Sequence, residues 1–199
     1  MMADSPRDRA VYRLLTGMSE ERDPYRALVI GSELTRVVRW MLSGSPEDYP
    51  TGITAEWVGD MSWRAVEFSP GTTEAPIVGP GIAEEFRADF ETAGELQPLL
   101  IDGEESEEWF VFLVKAVVDC LDTDKSSEPE WDGTIRKTVF RADAVPYDVP
   151  AFRVPQSTNV HWNGWMVDKL MPLVSLDVEA RLIWTDDPLR QPHPDPWGF

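Results

Sequence analysis

Asp122, Asp124, Ser126, Glu128 and Glu130 set oxygen-bearing side chains at every second position, the alternation that opens a calcium-binding loop. The pattern fails at its two decisive places. Ser127 stands where the sharp turn needs glycine, and Gly133 where a bidentate glutamate should complete the coordination. A polar loop is expected there, with no metal. His161 and His193 are the only histidines, and no H-E-x-x-H spacing or second thiolate accompanies them, so no zinc site is read. His161 lies in H-W-N-G-W, where a turn beside two aromatics accounts for it; His193 lies in the rigid P-H-P-D-P-W-G-F tail. Cys120, the single cysteine, sits between Val117-Val118 and Leu121. Burial there raises a thiol pKa and makes a poor nucleophile. The chain lacks G-x-S-x-G, a phosphate-binding glycine loop and a dinucleotide fingerprint. These readings point to no catalytic residue, no metal and no cofactor.

Carboxylates are the abundant chemistry. The 199 residues carry 36 acidic and 18 basic side chains, a formal charge of −18. Between Glu84 and Asp132 there are 16 acids against 3 bases, while the other 150 residues are nearly balanced, with 20 against 15. Asp102, Glu104, Glu105, Glu107 and Glu108 crowd seven positions around Gly103. Such a turn repels itself and gains nothing from folding alone. It is either a solvated loop between two strands or a docking surface that speeds encounter with a cationic partner. Phosphate backbones and anionic lipid are repelled by this charge, which disfavours direct binding to nucleic acid or a membrane surface.

Elements must position these groups. Hydrophobic residues make up 42 % of the chain and aromatics 11 %, enough for a buried core despite the charge. No uncharged run is long enough to span a membrane, and the first ten residues lack a signal peptide's apolar stretch, so a cytoplasmic protein is expected. Ser5-Pro6 with Ala10, Val11, Leu14 and Leu15 predicts a helix over 6–16, followed by a polar connector over 18–28. Ser32 can cap a helix over 32–43, whose Leu34, Val37, Val38, Met41 and Leu42 form a core stripe. Ile53 to Phe68 suggests a hairpin around Gly59-Asp60, with Trp57 and Trp63 packing there. A short Ile77-Val78 strand, a helix over 82–93, strands at Leu99–Ile101 and Trp109–Val118, and strands at Thr134–Phe140 and Ala151–Val154 follow. Asn163 caps a helix over 163–171 stopped by Pro172, Val178–Thr185 is the closing strand, and the proline-rich tail is irregular. The fold class read from this order is α+β, a mixed, mainly antiparallel sheet with helices packed on it. Three regions are distinguished: residues 1–70, helical with a hairpin and either separate or part of one domain; residues 71–187; and the tail 188–199.

From Pro76 onward the order of elements carries a resemblance. A P-I-V strand leads into an acidic amphipathic helix, then Q-P-L-L-I-D-G, then W-F-V-F-L-V-K-A-V-V-D-C-L-D-T-D-K-S and T-V-F. P-A-F-R-V-P, the N-G-W-M-V-D-K-L helix and a last strand complete it. The series resembles the immunity-protein families of bacterial polymorphic toxin systems, in particular those named immunity protein eleven and forty-three. It covers residues 76–185, including a V-V-D-x-L-D-x-x-x-S segment at Val117–Ser126 and an F-R strand at Phe152-Arg153. It departs from the pattern at Leu173-Val174-Ser175-Leu176, where an L-x-G turn would precede the closing strand.

The resemblance implies a cytosolic inhibitor that binds a cognate toxin domain, one expected to be basic, and not a catalyst. Asp102, Glu104, Glu105, Glu107 and Glu108 would then guide approach, with an exposed tryptophan, Trp109 or Trp131, as anchor. Asp119 and Asp122 read as a structural turn, with Arg153 as their internal ion-pair partner. Two other readings stay open. One is an acidic mimic of nucleic acid, with carboxylates at roughly 7 Å intervals along an exposed surface. The other is an enzyme with a carboxylate or Cys120–His161 site in a pocket of shifted pKa values.

Overall fold

The computed structural model describes residues 9–17, 24–31, 33–71 and 75–196. Among them, three α-helices and eleven strands in two sheets form the expected α+β architecture. In the first sheet β1 (Ala10–Thr16) lies between β10 (His161–Asn163) and β11 (Val178–Thr185), and β9 (Ala151–Phe152) forms the edge beyond β10. The expected helix over 6–16 is thus a strand from Ala10 onward; residues 6–8 lie outside the described residues. The register shifts between Val11 and Tyr12, so the neighbours Ala10 and Val11 are both buried, followed by Leu14. A bulge breaks the strand period of two, and the resulting 10, 11, 14 spacing imitates a helical face.

The second sheet runs β4 (Arg64–Ala65), β2 (Tyr25–Ile30), β3 (Thr54–Val58), β7 (Gly94–Ile101), β8 (Glu104–Val114), β6 (Ile77–Val78), β5 (Phe68–Ser69). Its pairs are antiparallel except β2–β4 and β3–β7. Two expectations fail here. Residues 25–28 belong to β2 and not to a connector, whose positions 18–23 lie outside the described residues. Gly59-Asp60 does not join a hairpin: the chain crosses from β3 over to the far side of β2, and β4 pairs there in parallel. Gly59 lies so close to β2 that a Cβ on it would sit 2.8 Å from the Tyr25 carbonyl oxygen, at a φ of 108°. The turn is held by Asp60, whose carboxylate accepts the Ser62 N–H at 2.8 Å.

Helix α1 (Leu34–Ser43) buries Val37, Trp40 and Met41 and ends at Gly44, which takes the left-handed conformation and donates to the Trp40 carbonyl. The expected cap at Ser32 lies outside the described residues. Helix α2 (Pro80–Glu91) buries Ile82, Phe86 and Phe90. Helix α3 (Gly164–Val174) runs through Pro172 instead of stopping at it, and Asn163 precedes it without a side-chain capping bond. The two sheets meet at Trp162 of β10, whose ring lies 5.6 Å from Phe68, 6.0 Å from Phe112 and 6.3 Å from Phe90. Helix α2, both sheets and the inward residues of α1 and α3 share that core. No helix among the described residues is long and apolar enough to cross a membrane.

Residues 115–150 are irregular, and the strand expected at Thr134–Phe140 reduces to one bridge, Leu121 to Phe140. Within 134–139 backbone donors go to side chains, while carbonyls of the same residues accept backbone N–H groups of Asp122, Ser127 and Glu130. Ile135 donates to Asn159, Lys137 to Ser127 and Val139 to Ser126. Short polar side chains offer the backbone an alternative to a ladder, so a β-branched composition alone does not make a strand here.

Candidate protein-docking surface

The acidic run is not a loop. Ile101 pairs with Glu104 and Leu100 with Glu105, so strands β7 and β8 join through the two-residue turn Asp102-Gly103. Both turn residues have positive φ, 53° and 85°. This is the geometry that suits the twist of a tight hairpin, and Asp-Gly is a preferred pair for it. Past the tip the ladder is interrupted, resuming at Pro98 opposite Phe110, so that residues 106–109 stand opposite Leu99 alone. The Ser106 hydroxyl accepts the N–H groups of Glu108 at 3.2 Å and Trp109 at 2.9 Å, closing the bulge internally. Proline at position 98 has no N–H to offer a partner, which suits the edge of a bulge.

Consequently β8 has two halves. Phe110 to Val114 are buried without a break, whereas Glu104, Glu105, Glu107 and Glu108, with Asp102 in the turn, are exposed. Charge compensation in the acidic stretch is incomplete: six acids have partners, while Glu84, Glu85, Asp124, Glu128 and Asp132, like the hairpin acids, have no ion pair among the described residues. Asp89 pairs with Lys169, Glu91 with Arg87, Glu95 with Lys115, Asp119 with Arg141, Asp122 with Lys125 and Glu130 with Arg136. Among the described residues no cation lies within ion-pair distance of any of the five hairpin carboxylates.

The two tryptophans differ. Trp109 is half-buried at the base of the bulge, edge-on to Trp57 at 5.0 Å, and Arg26 stacks on the far ring at 4.4 Å. It also lies against Gly79, where a Cβ would come within 2.8 Å of the indole. Trp131 is 93 % exposed in a turn closed by the Gly133 N–H on the Glu130 carbonyl. No ring contact or hydrogen bond among the described residues joins Trp131 to the hairpin. Trp63, expected to pack, is also exposed.

The remaining candidates are built into the fold. Cys120 is buried and desolvation pushes its thiol up to about 12. His161 is a buried strand residue and not part of a turn, packed between the Phe140 and Phe152 rings at 5.1 and 5.4 Å. Burial first, and the nearby Arg13 second, hold its pKa down at about 3. Arg153 does not pair with Asp119 or Asp122. It is 2 % exposed, donates to the Val114 and Met41 carbonyls at 2.9 and 2.7 Å, and lies over the Trp40 ring at 4.8 Å. Desolvation lowers its pKa to about 10. In the calcium-like run Lys125 occupies the Asp122 carboxylate and the Ser126 hydroxyl bonds to Val139. No three acidic, histidine or cysteine side chains converge as metal ligands among the described residues.

Sequence reasoning missed Ser106 and its bulge. A serine within a run of glutamates, able to accept N–H groups two and three residues on, is the signal that could have found it. No protein-family model matches this chain, and no curated protein matches it significantly in sequence.

Proposed function

We propose that this chain is an immunity protein, a cytoplasmic inhibitor that binds and neutralises a cognate, basic toxin domain, with the β7–β8 hairpin as its landing surface. The observation that carries the reading is the uncompensated run of five exposed carboxylates on one hairpin. Of the eleven other acids in the same stretch six have partners within the fold, and the hairpin holds the densest group of those that have none. Like charges held this close oppose folding, and a partner's cations would relieve that repulsion on binding. Long-range attraction would raise the encounter rate and reject acidic competitors, while buried anchors set the lifetime. The motifs from Pro76 to Thr185 support the same reading. A nucleic-acid mimic would want an unbroken row of carboxylates, and the bulge at 106–109 interrupts the row along β8.

Co-expression of the chain with the toxin domain encoded beside it tests the proposal. Growth should be restored and the two proteins should co-purify as a stable complex. Toxicity unchanged at full expression of the folded chain would overturn the reading.

A further inference from the structure

A groove of about 370 Å³ is lined by the irregular segment and residues 154–156, with no hairpin residue in its lining. The buried Leu121, Ile135 and Val154 are its apolar lining, and Pro129, Pro155 and Gln156 border it. Asp119 and Glu128 are its charged lining residues; Asp119 is shared with Arg141 at 3.5 Å, and Glu128 has no ion pair among the described residues. Trp131 follows Pro129 by two positions, within about 7 Å along the chain, and presents its ring almost wholly to solvent.

The groove is preformed. Gln156 holds a φ of 59°, a left-handed conformation that a side-chain-bearing residue keeps only when its surroundings impose it. Here they do. The neighbouring Ser157 hydroxyl accepts the Asn159 N–H, and the Asn159 side chain accepts that of Ile135 on the opposite strip of backbone. Thr158 donates its hydroxyl to the Asp132 carbonyl, tying this border to the Trp131 turn. Gly133, at φ 82°, packs so tightly that a Cβ would approach the Gln156 carbonyl oxygen to 3.1 Å.

We infer that this groove binds an extended basic segment of the partner, an arginine-bearing strip whose aliphatic or proline residues cover the apolar lining. Charge complementarity selects that occupant. An acidic peptide is repelled by Glu128, the lining carboxylate that has no ion pair among the described residues, and a neutral one would bury it unpaired. An arginine satisfies the carboxylate and can stack on Trp131, an arrangement whose energy corresponds to about a tenfold change in affinity. The inference deepens the proposed function and rests on it: the hairpin would govern approach, and the groove would hold a trailing segment.

The test uses the full chain and a fluorescein-labelled peptide of alternating arginine and proline, with a glutamate–proline peptide as control, at about 0.15 M salt, where long-range attraction is screened. The basic peptide should bind and the acidic one should not. Glu128→Lys and Trp131→Ala, both at exposed positions and checked for unchanged melting, should each weaken binding about tenfold. Reversing the five hairpin acids should leave it nearly unchanged. Absence of peptide binding overturns the groove and leaves the hairpin's role to be judged by toxin association. Equal loss from hairpin and groove variants would also overturn it, by showing attraction to net charge alone. Failure of the toxin experiment with retained peptide binding would instead refute the proposed function while the groove stands.

Discussion

Arg153 illustrates how a charge is kept inside this fold without a countercharge. Its guanidinium joins the last turn of α1, through the Met41 carbonyl, to the end of β8, through that of Val114, and rests on Trp40. Carbonyl oxygens at a helix C-terminus carry partial negative charge, so a cation is favoured there. Arg153→Ala removes these charge-assisted bonds and leaves a cavity, and should cost about 3 kcal/mol or more of stability in urea unfolding. A loss below about 1 kcal/mol would contradict the role given to this residue. His161 adds a pH dependence. Its unfolded pKa is near 6.5 and its folded value about 3. Between those values the unfolded chain binds the extra proton, so stability falls as pH drops from 6.5 toward 3, by up to about 1.4 kcal/mol per unit. Carboxylates contribute their own acid dependence below pH 5, so the comparison is with His161→Phe, which keeps the ring stacking. The natural protein should lose stability relative to His161→Phe steadily on acidification from pH 6.5; a constant difference would show that His161 does not titrate on unfolding.

Hairpin β7–β8 is decided by a few local choices. Gly103 has open space around its α-carbon but a φ of 85°, so Gly103→Ala meets no clash and only backbone strain. It should lower stability by about 1 kcal/mol, whereas Asp102→Gly should be nearly neutral. Equal effects of the two changes would argue against the two-residue turn. The same elements show what a sequence can reveal. The stripe of α1 and its Gly44 stop, the buried face of α2 and the closing strand β11 were legible because period and termination agree. β1 looks helical by period because its bulge puts buried residues at helical spacing. The glutamates carry no strand signal, because β8 is acidic for half its length and alternation is invisible where every side chain is wet. The five carboxylates were visible as a cluster. Their lack of internal partners, and the burial that separates Trp109 from Trp131, depend on contacts distant in sequence.

At the scale of the whole molecule, edges and charge matter most. β11 is an eight-residue edge strand, and such edges invite pairing with other chains. The tail runs alongside it: the His193 N–H bonds to the Leu182 carbonyl at 2.7 Å and Arg181 reaches Asp195 at 3.5 Å. Removing residues 188–199 should therefore increase concentration-dependent association, seen by light scattering, over that of the intact chain. A truncated protein that associates no more than the intact chain would deny the tail this protective role. The formal charge of −18 gives the molecule a long-range field, but only its uneven distribution would direct a partner to one face. The most direct test is the association rate with the proposed partner, a basic toxin domain, measured across ionic strength for the natural chain and for the variant with Asp102, Glu104, Glu105, Glu107 and Glu108 changed to lysine. Association at low salt should slow roughly tenfold or more in the variant, with the two rates converging as salt is raised. Equal rates at low salt would contradict this, because the carboxylates of β8 and its turn would then have no part in docking.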